Sequence, residues 1–399
     1  MVMEETRTRE SVDRKILPTL FMSSLAISPP GILTGLLLIE ISRTYNISLG
    51  IAGQIRTLAP IIASIMGIFM AVLAVKYRQK SLLLIGLSFI CVASIGCVFA
   101  PDFMSMLIIY SLSGLGNAMV FPMAQSIVGD LYPPGERAEA IAWVSAAASF
   151  AYVIGAPLAG FLAGIGGWQL AFLAFSFLTS FISLLLAYKF LPNVKKDQGK
   201  PSGGVDYFEG IKKVLLNRSA IACLIGNVLS ISAWTVILVY TTSFVRQVFQ
   251  LSTSYASIYL LVCGVFYTSA TIFSGKIVKR IGMKKIYVIS ILIGGSLIIV
   301  HFGVNDFWLS VAAGFACCVF FGARVTAANN LSLEQLPAFR GSMMSLNSMV
   351  GNIGTAFGSG IAGLILILYD FRLLGITFSL FSFMAVIVIQ FLTVEPSKK

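Results

Sequence analysis

Twelve apolar stretches, most of about twenty residues or more, follow one another along this chain, separated by short polar breaks. They are placed at roughly 16–40, 50–75, 81–100, 104–131, 139–164 and 168–190, and again near 219–244, 254–277, 286–304, 307–333, 341–368 and 372–393. Each is long enough, as a helix, to cross a hydrocarbon core of about 30 Å. A polar connection, residues 191–218 (LPNVKKDQGKPSGGVDYFEGIKKVLLNR), divides the series into six and six. Its Gly, Pro and Lys content predicts a solvated linker with a short amphipathic helix over 206–216. The expected architecture is all-α: a bundle over 1–190, the linker, and a second bundle over 219–399.

The two halves are repeats. AVLAVKYRQK at 71–80 lies 204 residues before GKIVKRIGMK at 275–284, and Asp130-Leu131-Tyr132-Pro133 lies 204 before Glu334-Gln335-Leu336-Pro337. Beyond those prolines the offset is 203, so that Arg137 maps to Arg340, Gly155 to Gly358 and Gly160 to Gly363. Six spans per half give both halves the same orientation. Their symmetry axis must run along the membrane normal, with a solute site between them near the midplane.

Composition removes other classes. With 57% hydrophobic and 11% charged residues and a mean hydropathy of +0.92, no large soluble domain is left to form. The formal charge of +12 does not point to nucleic acid, because it is segregated. With the N-terminus inside, 23 of the 28 Lys and Arg fall on inner segments and three on outer loops, which predicts cytoplasmic termini and a multi-pass cell-membrane protein. The six cysteines all sit in apolar runs without metal-ligand spacing and read as buried free thiols. The chain has no Gly-x-x-x-x-Gly-Lys-Ser/Thr loop, no His cluster and no paired intramembrane carboxylates. Neither a nucleotide-driven pump nor a membrane enzyme is expected, and no cofactor or metal.

Charges within apolar spans single out candidates for the site. Arg324 lies near the middle of the tenth span and Arg56 on the outer third of the second. Either they bind an anionic group of a solute by charge-assisted hydrogen bonds, or they bond carbonyls and hold helices together. Tyr110, Asn117, Trp234 and Asn329 are further candidates for the cavity wall. Glu40, ending the first span, could pair with Arg43 or Arg56, and His301 is expected as an interfacial side chain near the outer surface. Pro29-Pro30-Gly31, midway along the first span, predicts a kink or break. Small residues every four positions form a close-packing face in the fifth span (Ala147, Ala151, Gly155, Ala159, Ala163) and in the eleventh (Asn347, Gly351, Thr355, Ser359, Gly363).

Several of these segments together resemble the major facilitator superfamily. The loop at 71–80 is similar to its Gly-x-Leu-Ala-Asp-Arg-x-Gly-Arg-Lys signature, and Gly275, Arg280, Gly282 and Lys284 repeat it more closely. Gly155-Ala156-Pro157-Leu158-Ala159-Gly160 resembles the Gly-Pro motif of the family's antiporters, Gly167-Trp168-Gln169 its Gly-Trp-Arg segment, and Arg340–Ser345 the eleventh-span opening of drug-efflux members. The resemblance implies a twelve-helix secondary transporter of a small molecule, working by alternating access as a monomer in the bilayer. Pro29, Pro30, Gly155, Pro157 and Gly160 would then be hinge or packing positions. It also implies that Asp130 with Lys76 and Arg78, and Glu334 with Lys279 and Arg280, latch the cytoplasmic face; otherwise these are solvated flanking charges. Val75 stands where the loop signature has its carboxylate and Tyr110 where the fourth span has its arginine, so proton coupling is not carried over. Efflux of an organic solute is the favoured direction. The alternatives are uptake or exchange of a small anion held by Arg324 and Arg56, and a non-transporting sensor or scaffold.

Overall fold

The computed structural model describes residues 14–192 and 204–395. Residues 193–203 of the linker lie outside them. The first span is three pieces, α1 (Ile16–Leu25), α2 (Pro29–Leu36) and α3 (Leu38–Thr44). Pro29 and Pro30 open α2, where a missing N–H costs nothing, so the expected interruption is a stop and restart. The second span is α4 (Leu49–Gly53) and α5 (Ile55–Lys76); α6 (Gln79–Val98) and α7 (Phe103–Leu131) follow.

The fifth and sixth spans run together as α8 (Pro134–Ala171), but helical geometry fails at Gly166 and Gly167. Gly167 has φ +72, a value that glycine adopts freely. Six π-helical residues, Phe172–Phe177, then lead into α9 (Leu178–Phe190). The linker helix α10 spans Gly204–Leu216. The second half is α11 (Arg218–Val248), α12 (Thr253–Ile281), α13 (Met283–Gly303), α14 (Phe307–Gln335), α15 (Arg340–Leu368) and α16 (Phe371–Leu392). Counting α8 on both sides of its break gives twelve spans.

The helices form two six-helix bundles. In the first, α7 packs on α5 and α6, and α1 on α8 and α9; in the second, α14 packs on α12 and α13, and α11 on α15 and α16. Matching caps mark the repeat. Asp102 accepts Ser105 N–H at 2.8 Å to start α7, and Asp306, 204 residues on, accepts Leu309 N–H at 2.8 Å to start α14. Ser48 and Ser252 cap α4 and α12 at the same offset. These N-caps all sit at one face of the molecule, called here the distal face; Lys15 and Glu395, near the ends of the described chain, mark the terminal face. There Glu395 accepts the N–H groups of Met283 and Lys284 (2.8 and 3.3 Å), capping α13 where Gly282, at φ +110, turns the chain.

The bundles meet along α8–α12, α5–α15, α4–α15 and α2–α11. Small residues make this possible. A methyl at Gly50 would lie 2.3 Å from the Gly363 carbonyl, and one at Gly160 2.6 Å from Ser257 Oγ. The described bonds joining the bundles start at the distal face and run inward. Glu40 and Arg246 form a bidentate ion pair (2.5 and 2.9 Å), Thr253 donates to Glu40 at 3.1 Å, and Thr242 to the Gly35 carbonyl at 2.8 Å. Deeper, Gln54 donates to Gly360 C=O, Ser359 to Arg56 C=O at 2.8 Å, and Ser64 to Met349 C=O at 3.4 Å, about half-way through. The distal face is thus strapped shut, and the described straps end at mid-depth.

Candidate functional site

Arg324 arrives at mid-depth on α14 and is almost entirely buried, at 5% exposure. Its Nη1 donates to Ser230 Oγ on α11 at 2.6 Å, while its Nε has no partner. Ser230 begins a polar chain: Tyr287 Oη lies 3.0 Å from it and donates to Asn227 Oδ1 at 2.9 Å, and Asn227 Nδ2 donates to Asn347 Oδ1 at 2.7 Å. Asn347 in turn donates to Asn329 Oδ1 at 3.3 Å, where Asn329 is exposed. Buried polar groups need partners, and here each is satisfied by the next, leading from the guanidinium to open space on α14.

One turn from Ser230 on α11 stands Trp234, and one turn before Arg324 on α14 stands Phe321. Trp234 stacks on Tyr267 of α12 (centroids 4.6 Å apart, 12° between planes) and on Phe321 (5.6 Å, 28°). Trp234 and Tyr267 keep part of their surface uncovered; Phe321 does not.

Arg56 belongs to the other bundle. Its Nη1 sits where a methyl on Gly31 would be, 2.5 Å from that position, so the break ahead of α2 and the bare glycine backbone make its seat. Tyr152 and Tyr240 lie close enough to feel its charge. Its Nε is also buried without a partner. Tyr110, at 4% exposure, is hydrogen-bonded to Thr34 at 3.2 Å on the same wall. Tyr152 lies against Gly264, three residues before Tyr267 on α12.

The three ion pairs among the described residues involve neither Arg56 nor Arg324. Water would normally satisfy such groups; inside a membrane protein a guanidinium with an unpartnered Nε is a costly feature to keep.

Of the residues singled out in the sequence, Arg324, Trp234 and Asn329 come together in one bundle and Arg56 and Tyr110 in the other. Asn117 is exposed on α7 and makes no described bond. Gly155 packs on Phe175 and Ile32, Gly160 on Ser257, and Pro157 lies between them on α8. Asp130 accepts from Gln79 Nε2 at 2.6 Å, with no described ion pair to Lys76 or Arg78. Glu334 pairs with Arg340 at 2.8 Å, not with Arg280, which is exposed. The side chain of Lys279 lies outside the described set.

Two expectations are corrected. Glu40 pairs with neither Arg43 nor Arg56, because the break at Leu37 starts a new helix and Arg246 reaches it from the last turn of α11. His301 is not interfacial: it is fully buried among Phe244, Phe302 and Tyr259, with Nδ1 2.9 Å from the Ser310 carbonyl and Nε2 3.2 Å from Thr241 Oγ1. A groove of about 610 Å³ between α5 and α15, lined by Ile61, Ile65, Ile353 and Phe357, is apolar and holds no charged side chain.

Sequence reasoning missed Tyr152, Tyr267 and Ser230. Tyr152 carried a usable signal, being a polar-tipped aromatic next to the small-residue face of the fifth span.

The profile of the Major Facilitator Superfamily matches residues 17–295 and 223–399. This chain belongs to that superfamily. It is 22% identical over 309 residues to the uncharacterized MFS-type transporter YwfA of Bacillus subtilis, covering 75% of this chain and 73% of that one. A probable sugar efflux transporter of Helicobacter acinonychis is 24% identical over 229 residues, 57% of each chain. The crystal structure of a bacterial homolog of the human lysosomal transporter Spinster, inward-facing and unoccupied, superposes with a TM-score of 0.74 at 18% identity, over 98% of this chain and 100% of that one. The fold is therefore the twelve-helix transporter fold, in a multi-pass membrane protein.

Proposed function

We propose that this superfamily member is a secondary active transporter that carries a small organic anion by alternating access, with Arg324 as its principal anion ligand and Arg56 facing it from the other bundle. The observation that carries the reading is that Arg56 and Arg324 have buried, unpartnered Nε groups and no ion pair among the described residues, whereas Arg246, whose Nε is also unpartnered, is neutralised by Glu40. A carboxylate or phosphate supplies the missing acceptors, and each charge-assisted bond formed is about twice as strong as a neutral one. Residues 1–190 and 219–399 act as the rocking units, the linker 191–218 lies in the cytoplasm with both termini, and the chain functions as a monomer. In the opposite state Asp130 with Lys76 and Arg78, and Glu334 with Arg280, approach as the terminal face closes, while Glu40 and Arg246 part.

The test is counterflow in proteoliposomes against a panel of organic anions, cations and neutral solutes. Anions alone should exchange, and Arg324→Gln should lower that exchange about a hundredfold. Exchange of cations or neutral solutes that survives Arg324→Gln refutes the reading. A second reading, export of a neutral amphipathic solute on the Trp234–Tyr267 stack, is favoured by the similarity to a probable sugar efflux transporter. The same panel separates the two.

A further inference from the structure

The anion reading leaves the aromatic stack unused. Trp234 lies four residues after Ser230 on α11, and Phe321 three residues before Arg324 on α14, so both are one helical turn from the groups that meet in the Arg324–Ser230 bond. Tyr267 completes the stack from α12 and lies close enough to feel the Arg324 charge. Trp234, stacked with both Tyr267 and Phe321, is therefore set about one helical turn, roughly 5.4 Å along the axis, from the groups that meet in that bond, and Trp234 and Tyr267 each keep part of their surface uncovered. The fold does not require it: at the repeat offset of 204 the first bundle has Pro30 in place of Trp234. Packing alone asks for a small or aliphatic residue on a helix face that must slide; three stacked rings beside a buried cation suit a planar partner.

Resting on the anion reading above, we infer that the solute is an aromatic organic anion, its ring laid against Trp234 and Tyr267 and its carboxylate or equivalent group taken by Arg324. Ring–ring contact gives selectivity beyond that of equal apolar area, and the guanidinium supplies the orientation.

Isothermal titration of the full-length protein in detergent with three probes decides it: phenylpropanoate, cyclohexylpropanoate and phenylpropanol. These share a chain length and differ in ring and in charge. Phenylpropanoate should bind about fivefold tighter than cyclohexylpropanoate, the order of effect that an aromatic pair provides. Trp234→Leu should remove that preference, and Trp234→Phe should restore it. Arg324→Gln should weaken both anions together. Equal affinity of the two anions in the unaltered protein, both still needing Arg324, overturns the aromatic assignment and leaves the anion reading standing. Should phenylpropanol bind as tightly as phenylpropanoate, or none of the three bind, the anion reading itself falls. The comparison of probes on the unaltered chain stands even if a Trp234 variant fails to fold.

Discussion

Arg324 already holds Ser230, and a chain of hydroxyls and amides ties it through Asn227 and Asn347 to the open end of α14 and to α15. Arg56 has no such chain. It leans on the glycine backbone at Gly31 and is surrounded by tyrosines, more exposed than its counterpart. The repeat does not relate the two arginines, since an offset of 204 takes Arg56 to Leu260 and brings Arg324 back to Val120. The caps and the close-packed glycines of this protein obey the repeat; the two intramembrane arginines do not.

That contrast predicts an order of effects. Arg324→Gln should lower anion transport most, by about 3 kcal/mol or roughly a hundredfold in kcat/KM, since it removes a desolvated charge from its ligand. Arg56→Gln should cost about tenfold, measured in the same vesicles, because its less buried charge is more screened. Equal losses would mean that the two sites act as a symmetric clamp. Asn227→Ala breaks the chain between Arg324 and α15 and leaves Tyr287 and Asn347 short of partners. It should lower the unfolding free energy by about 1–3 kcal/mol, read as a fall of a few degrees in the melting temperature.

Glu40→Gln replaces the charged strap at the distal face with a neutral one. It should raise labelling of a cysteine introduced at Ser243, which is buried near the distal end of α11, severalfold, and no change there would show that Thr242 and Gln54 close that face alone.

The smallest effect concerns the caps. Asp102 is held below the ordinary carboxylate value of 3.8, chiefly by the Ser105 N–H and then by the Ser105 hydroxyl. Its contribution is fully present above that value and is lost as the pH falls below it, through the depressed pKa. Asp102→Asn should therefore flatten the acid limb of a thermal-stability profile without changing its neutral plateau.

The spans, the repeat and the two buried arginines were legible in the sequence, because a run of apolar residues or a charge inside one is a signal at the scale of a single helix. The caps at Asp102 and Asp306, and at Ser48 and Ser252, obey the same 204 offset and carry that reading further than the loops alone. The Glu40–Arg246 pair was not legible. It joins residues 206 positions apart, and it depends on how Leu37 redirects α3 and on α11 continuing far enough to present Arg246. The Asn227 chain was hidden for a different reason. Serines, asparagines and a tyrosine in apolar helices show no spacing that reveals which of them meet. His301 misled because its position near a helix end suggested water, whereas helices α11, α12 and α14 enclose it.

Ser359 hands its hydroxyl hydrogen across the junction to the carbonyl of Arg56 while also lying within bonding reach of Thr355 and Ala356 on its own helix. Whenever α15 shifts against α5, the peptide group that aims Arg56 feels the tug before any side chain does. The residue proposed to face the solute on one wall is thus joined through its backbone to the opposite wall, and an uncharged serine makes the link.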